Sequence, residues 1–307
     1  MPFFLEPLNY EFFRHGLIAA VLVGALCGLI GTHVVLRGMS YVGHGLSHAA
    51  FGGAVIGFAL NFNFYVGAGA MGLLAALMIN QLTKNIKIKS DAAIGIVTTA
   101  IFALGVVVIS QQRSLNKSLE AALFGNILGI TDSDLMIIGL VTAFTMVVMF
   151  LTYRPLLFAI FDQEAAKIFG IKTEALQLLF AILLTLSVIV TMNVVGVTMI
   201  AAALVIPAMT ARLLTDRFSI MLVYSVVIGI LIGIGGMYLS YFFNIASGAT
   251  IVLFGAFIFC FSVFIRYILE KISLHTNLHQ HGNLIHSHPL NSENHKHTDE
   301  IKSDSKC

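Results

Sequence analysis

Two histidines stand one helical turn apart in an otherwise apolar part of the chain. His44 and His48 are separated by Gly-Leu-Ser. In a helix this spacing places both imidazoles on one face, with Cβ atoms about 5–6 Å apart. Two nitrogens placed in this way can coordinate one transition-metal ion. The alternative is a pair of rings that only hydrogen-bond to neighbouring helices.

The glycines and alanines beside this pair predict space next to the helix. Gly43, Gly45, Gly52 and Gly53 stand where a tightly packed helix would carry leucine or isoleucine. We expect that space to admit a hydrated ion. His33, by itself near the end of the first apolar stretch, is interpreted as a structural residue.

A second group of histidines lies in the polar tail that follows Lys271. Composition indicates that residues 273–307 are disordered and can buffer metal, whereas residues 1–272 form the membrane domain. The tail histidines are His275, His279, His281, His286, His288, His295 and His297.

The composition indicates a membrane protein. Hydrophobic residues make up 58% of the 307 and charged residues 10%, against roughly 45–50% and 25% in soluble domains. A helix that crosses a bilayer needs about 20 apolar residues. Windows free of Asp, Glu, Lys and Arg therefore locate the spans.

Six such windows predict an all-α bundle of about nine transmembrane helices, with eight possible. Three of them are long enough for two helices each, divided at Asn61, Asn193 and Asn244. The windows are bounded by Arg14 and Arg37, Arg37 and Lys84, Asp91 and Arg113, Asp134 and Arg154, Glu174 and Arg212, and Arg217 and Arg266.

The distribution of basic residues predicts the orientation. Cytoplasmic loops are enriched in Lys and Arg. With the N-terminus outside and the C-terminus in the cytoplasm, 14 basic residues lie inside and 3 outside.

The segment that begins at Phe161 differs from the other loops. Asp162 can cap a short helix and Gly170 can end it. Phe161 and Ile168 would share one side with Ala165, which suits either an interfacial helix or a docking element. No Gly-x-x-x-x-Gly-Lys-Ser/Thr sequence is present in the chain, so the chain has no phosphate-binding loop of that type.

Several separated blocks resemble the permeases of ATP-binding-cassette (ABC) uptake systems for zinc, manganese and iron, the ABC-3 family. The similarity extends from about residue 10 to residue 268. The blocks are residues 38–49, 91–96, 123–130, 162–171, 195–196 with 207–216, and 247–250.

The resemblance implies the remaining expectations. The chain would be a non-enzymatic subunit of a prokaryotic inner membrane, working as a homodimer or heterodimer surrounded by lipid. A separate cytoplasmic subunit would hydrolyse ATP, and an extracytoplasmic metal-binding protein would deliver the ion. No permanent cofactor or nucleic acid is expected. The coupling helix that contacts the ATPase would include Asp162, Glu164, Ala165 and Gly170.

The family commonly has an acidic residue at the position of His44. Imidazole suits zinc, whereas carboxylate suits manganese, so His44 favours zinc over manganese or iron. Two alternatives stay open, an ion-coupled secondary carrier and an ABC permease for a metal chelate. A secondary carrier usually has an acidic residue near the middle of the bilayer, and no span has one.

Overall fold

The computed structural model is a bundle of helices. It describes residues 5–86, 88–110, 123–125, 127–276, 278–281 and 284–287. Within these residues the helices are α1 (Glu11–Leu36), α2 (Val42–Ala59), α3 (Phe64–Asn85), α4 (Ser90–Ser110), α5 (Asp132–Leu151), α6 (Tyr153–Phe161), α7 (Gln163–Ile168), α8 (Thr173–Val195), α9 (Ile200–Leu214), α10 (Phe218–Phe243) and α11 (Ser247–Thr276). Short 3-10 turns cover Glu6–Asn9, Ile127–Gly129 and Val197–Met199.

Eight of the described helices are long and apolar enough to cross a membrane. The predicted all-α membrane bundle is therefore confirmed. The long helix outside this set is α2, which has 18 residues and is made less apolar by its two histidines. The count of nine, which includes α2, and the predicted orientation stay predictions.

The double windows divide at turns whose backbone explains the break. Asn61 and Asn244 adopt left-handed φ values of +57° and +53°, a conformation that asparagine tolerates. The predicted break at Asn193 is wrong, because α8 continues to Val195 and the chain turns at Gly196. Asn193 is retained in the helix and donates a hydrogen bond to the Tyr65 hydroxyl at 2.8 Å.

Glycines allow α1 and α10 to pack at close range. A Cβ on Gly24 would overlap the backbone carbonyl of Gly229. Four residues further along α1, the Ser225 hydroxyl donates to the Gly28 carbonyl oxygen at 2.8 Å. Small residues spaced four apart, such as Gly24 and Gly28, are typical of closely packed membrane helices.

The chain divides into one compact unit up to Ser262 and a smaller one from Val263. The predicted domain boundary at residue 272 falls within α11, which continues to Thr276. In the smaller unit, β1 (Leu278–His281) pairs antiparallel with β2 (Leu284–Ser287). Gly282-Asn283 separates these strands in sequence, and such dipeptides favour hairpins. The predicted domain boundary and the predicted disorder of the tail stay predictions.

Candidate metal site

His44 and His48 face each other at the start of α2. Their Nε2 atoms are 3.3 Å apart, and the ring planes are perpendicular, at 89°. A tetrahedral ion about 2.0–2.1 Å from each of two nitrogens holds them roughly 3.3–3.4 Å apart. At this separation the two rings are within hydrogen-bond distance of each other, and the same spacing fits two nitrogen ligands of one tetrahedral ion.

Packing positions this pair more than hydrogen bonding does. The His48 ring lies 5.0 Å from the Phe102 ring of α4, measured between centroids. The Ser47 hydroxyl donates to the Val197 carbonyl oxygen at 3.1 Å. This hydrogen bond ties α2 to the 3-10 turn Val197–Met199. The buried Nδ1 of His48 has no hydrogen-bond partner in the described part of the chain. Stable metal sites usually supply that partner, so the arrangement suits an ion that is held briefly.

A cavity of about 460 Å³ connects the pair to α4. Beside the two histidines it is lined by Asp91, Thr98 and Thr99. Sequence reasoning noted Asp91 only as an edge residue and did not assign it to the site. The available signal was its position in the first turn of α4, whose start is predicted to lie on the same cytoplasmic side as the start of α2. Within the described residues no three His, Cys, Asp or Glu side chains are close enough to form a complete metal site.

The small residues of α2 differ in the space that they leave. A Cβ on Gly52 would contact the Ile101 carbonyl oxygen at 2.7 Å. Gly53 packs in the same way against Gly67 of α3. A Cβ on Gly45 would be 2.5 Å from the Ile94 side chain of α4, but Gly45 also lines the cavity beside His44 and His48. The predicted space is therefore present beside the histidine pair, whereas neighbouring helices fill it beside Gly52 and Gly53.

His33 lies in a different environment at the end of α1. Its side chain is buried, with Nδ1 3.1 Å from the Leu29 carbonyl oxygen. Its ring packs edge-on against Phe218 at 5.3 Å. These contacts agree with the structural role predicted for it.

The segment predicted to couple to an ATPase forms the short helix α7. The Asp162 side chain accepts a hydrogen bond from the Ala165 amide at 2.9 Å, which is the predicted cap. Gly170 follows the helix with a left-handed φ of +79°. Glu164 is exposed and Ala165 is half-buried.

Three large apolar side chains around α7 are exposed. Phe161 is 68% exposed, Ile168 is 84% and Phe169 is 77%. Ala166 is the residue of α7 that packs inward. The Phe169 ring lies 5.7 Å from the Phe158 ring, and the rest of this apolar surface is uncovered by the described residues.

The structure places the tail histidines only in part. His275 is in α11, and His279 is paired in register with His286 across the hairpin that also holds His281. His288, His295 and His297 lie outside the described residues. Their predicted role in buffering metal stays a prediction.

A membrane-spanning helical bundle with a histidine-lined cavity and an exposed short helix between two spans defines a subunit of a membrane transporter. The family model described as the ABC 3 transport family matches residues 9–266. The chain therefore belongs to this family, as the sequence blocks predicted.

Named relatives agree with this assignment. The chain is 38% identical over 262 residues to the manganese transport system membrane protein MntC of Halalkalibacterium halodurans, covering 85% of this chain and 90% of the relative. It is 37% identical over 274 residues to the manganese import system permease protein ScaB of Streptococcus gordonii, covering 88% and 98%.

A solved structure has the same fold. PsaBC from Streptococcus pneumoniae in complex with Fab superimposes with a TM-score of 0.80 and 37% identity, covering 87% of this chain and 98% of that chain.

Proposed function

We propose that the chain is the permease subunit of an ATP-driven importer for a divalent transition-metal ion, and that manganese is its principal cargo. The observation that carries the proposal is the 3.3 Å separation of the His44 and His48 Nε2 atoms at a cavity that Asp91 also lines. The pair supplies two ligands, and water or a second copy of the chain completes the shell. An incomplete shell lets the ion leave as well as enter.

Manganese replaces zinc, which His44 alone favours, as the proposed cargo. The sequence-based preference for zinc has no support among the relatives, whose names specify manganese and, in one case, chelated iron. Asp91 adds a carboxylate to the same cavity, and oxygen ligands suit manganese. The two imidazoles are the protein ligands of the proposed site, Asp91 places its charge in the wall of the cavity, and zinc and iron are competitors of manganese.

The remaining parts of the proposed transporter are separate subunits. A cytoplasmic ATP-binding subunit docks on the apolar surface around α7, because Phe161, Ile168 and Phe169 are exposed there. An extracytoplasmic protein delivers the ion to a permease dimer in a prokaryotic inner membrane. The chain itself performs no bond chemistry.

Uptake into proteoliposomes that contain the full complex tests the proposal. We expect manganese uptake that requires ATP and exceeds zinc and iron uptake at equal concentration. His48→Ala should lower manganese uptake by roughly tenfold or more, since even outer-shell losses at metal sites cost 10–100-fold. His15→Ala, a histidine outside the cavity, is the matched control. Uptake without ATP, or full uptake by the His48 variant, would contradict the proposal.

A further inference from the structure

Arg37 lies between α1 and α2 and has an incomplete set of partners. Its guanidinium is 4.2 Å from the centroid of the Phe180 ring. In the described part of the chain it forms no ion pair and no side-chain hydrogen bond. Burial lowers the pKa of Arg37 to about 10, so the group is still charged at neutral pH. A partly buried cation without an anionic partner is unfavourable.

Arg37 lines a second cavity, of about 220 Å³, between α2, α3, α4 and α8. Asn80, Thr83, Ser90 and Gln177 supply further hydrogen-bonding groups to its wall. Neither Asp91 nor Glu174, the nearest acidic residues in the sequence, lines it. The polar part of this cavity therefore suits an anion.

The other part of the cavity wall is apolar and opens to the outer surface of the bundle. Leu77 of α3 and Leu178 of α8 line it, and their exposed fractions are 38% and 42%. Leu77 lies about two turns from the end of α3, and Leu178 lies about one and a half turns from the start of α8; both of these helix ends are predicted to be cytoplasmic. An occupant that also contacts these leucines must be partly apolar.

The adjacent loop adds positive charge. The segment between Thr83 and Ser90, which both line the cavity, contains Lys84, Lys87 and Lys89 and no acidic residue. Basic clusters next to membrane helices attract the anionic lipids of the cytoplasmic leaflet. Basic pockets between helices on that side bind phosphate headgroups.

We infer that this cavity binds the phosphate headgroup of an anionic membrane lipid, with the phosphate on Arg37 and an acyl chain beside Leu77 and Leu178. Free phosphate could bind Arg37 in the same way as the headgroup, but it would not contact the two leucines. Val42 and Leu46 of α2 line the same cavity, so a bound lipid braces the helix that carries His44 and His48. This inference does not depend on which ion is transported.

Native mass spectrometry of the full chain, purified in detergent, tests the inference. Phosphatidylglycerol should be retained at least roughly fivefold better than phosphatidylcholine, since one basic residue contributes about 1 kcal/mol to such binding. Arg37→Gln should abolish the preference and Arg37→Lys should retain part of it. Arg14→Gln, the same change at the other end of α1, is the control and should leave the preference intact.

Further arms separate the lipid from other anions. Leu178→Trp fills the apolar opening of the cavity without altering Arg37, so it should also weaken phosphatidylglycerol binding. If Arg37→Gln does not fold, this variant tests the inference in its place. Displacement of the lipid by millimolar inorganic phosphate would make free phosphate the ligand and overturn the inference. Equal retention of both lipids by the parent protein would overturn it as well. The inference would also be overturned if the ATP-binding subunit, in the absence of lipid, protected Arg37 from an arginine-modifying reagent.

Discussion

The Tyr65 hydroxyl donates a hydrogen bond of 2.5 Å to Asp134 and thereby joins α3 to α5. Asn193 of α8 donates to the same hydroxyl at 2.8 Å, and Thr131 donates to the other oxygen of Asp134 at 2.7 Å. Three helices are thus tied together at the end of the bundle that is predicted to be extracytoplasmic. Tyr65 is the central member, since it both donates and accepts.

Tyr65→Phe should therefore destabilise the bundle. The substitution removes the partner of the Asn193 amide and of one oxygen of the partly buried Asp134, while Thr131 still donates to the other oxygen; such a loss costs about 1–3 kcal/mol. Thermal unfolding in detergent measures the effect. Tyr224→Phe, at an exposed tyrosine of α10, is the control, and equal unfolding temperatures for the two variants would show that the network contributes little.

His44→Asp should raise the ratio of manganese to zinc uptake. The change replaces an imidazole nitrogen with carboxylate oxygen, which manganese prefers, and keeps His48 as the second ligand. Competition between the two ions in proteoliposomes measures the ratio. An unchanged ratio would mean that His44 does not select the ion, without affecting the role of His48.

Asp91→Asn tests whether the carboxylate of the shared cavity takes part in transport. We expect manganese uptake to fall more than zinc uptake, because the lost charge matters most to the ion that prefers oxygen ligands. Asparagine is accepted near helix starts, so α4 should stay folded. Asp132→Asn is the control, since its side chain is 87% exposed and its contact with His15 lies at the surface. A parallel fall in uptake of both ions would assign Asp91 a structural role.

Features of the fold that depend on local sequence could be predicted, whereas contacts between residues far apart in the chain could not. Charged residues are excluded from the bilayer core along the whole chain, so the charge-free windows located the helices, and the left-handed Asn61 and Asn244 mark two of the breaks. The break at Asn193 was misplaced because its polar group is satisfied by Tyr65, 128 residues away. No local pattern contains that contact.

The site was predicted to a similar extent. The spacing of His44 and His48 determined their shared face, since one helical turn does so by itself. The inclusion of Asp91 in the cavity depends on how α4 packs against α2, which residue types do not reveal. Helix packing also closes the space beside Gly52 and Gly53. For the coupling segment, the cap at Asp162 and the turn at Gly170 are local, and both were predicted.

The orientation predicts that Cys307 is in the cytoplasm. A membrane-impermeant maleimide should label it only after the cells are made permeable. Cys27 is buried and Cys260 lies within α11, so a Cys307→Ser variant supplies the background. Labelling of Cys307 in intact cells would reverse the topology and place α7 on the outer side.

Gly170→Val should uncouple the permease from its ATP-binding subunit while the bundle stays folded. Gly170 has a φ of +79°, a conformation that costs a residue with a Cβ roughly 1–2 kcal/mol and a β-branched residue more. The chain relieves that strain most readily by changing how α7 ends, because nothing lies within 4 Å of a Cβ at Gly170 to hold it in place. The exposed surface of Phe161, Ile168 and Phe169 would then no longer fit its partner.

Gly139→Val is the matched control, since Gly139 of α5 also has nothing within 4 Å of an added Cβ but has no left-handed φ. We expect the Gly170 variant to unfold at nearly the parent temperature yet to lose most metal-dependent ATP hydrolysis and copurification of the ATP-binding subunit, whereas the Gly139 variant retains both. Normal hydrolysis by the Gly170 variant would show that α7 is not the docking element.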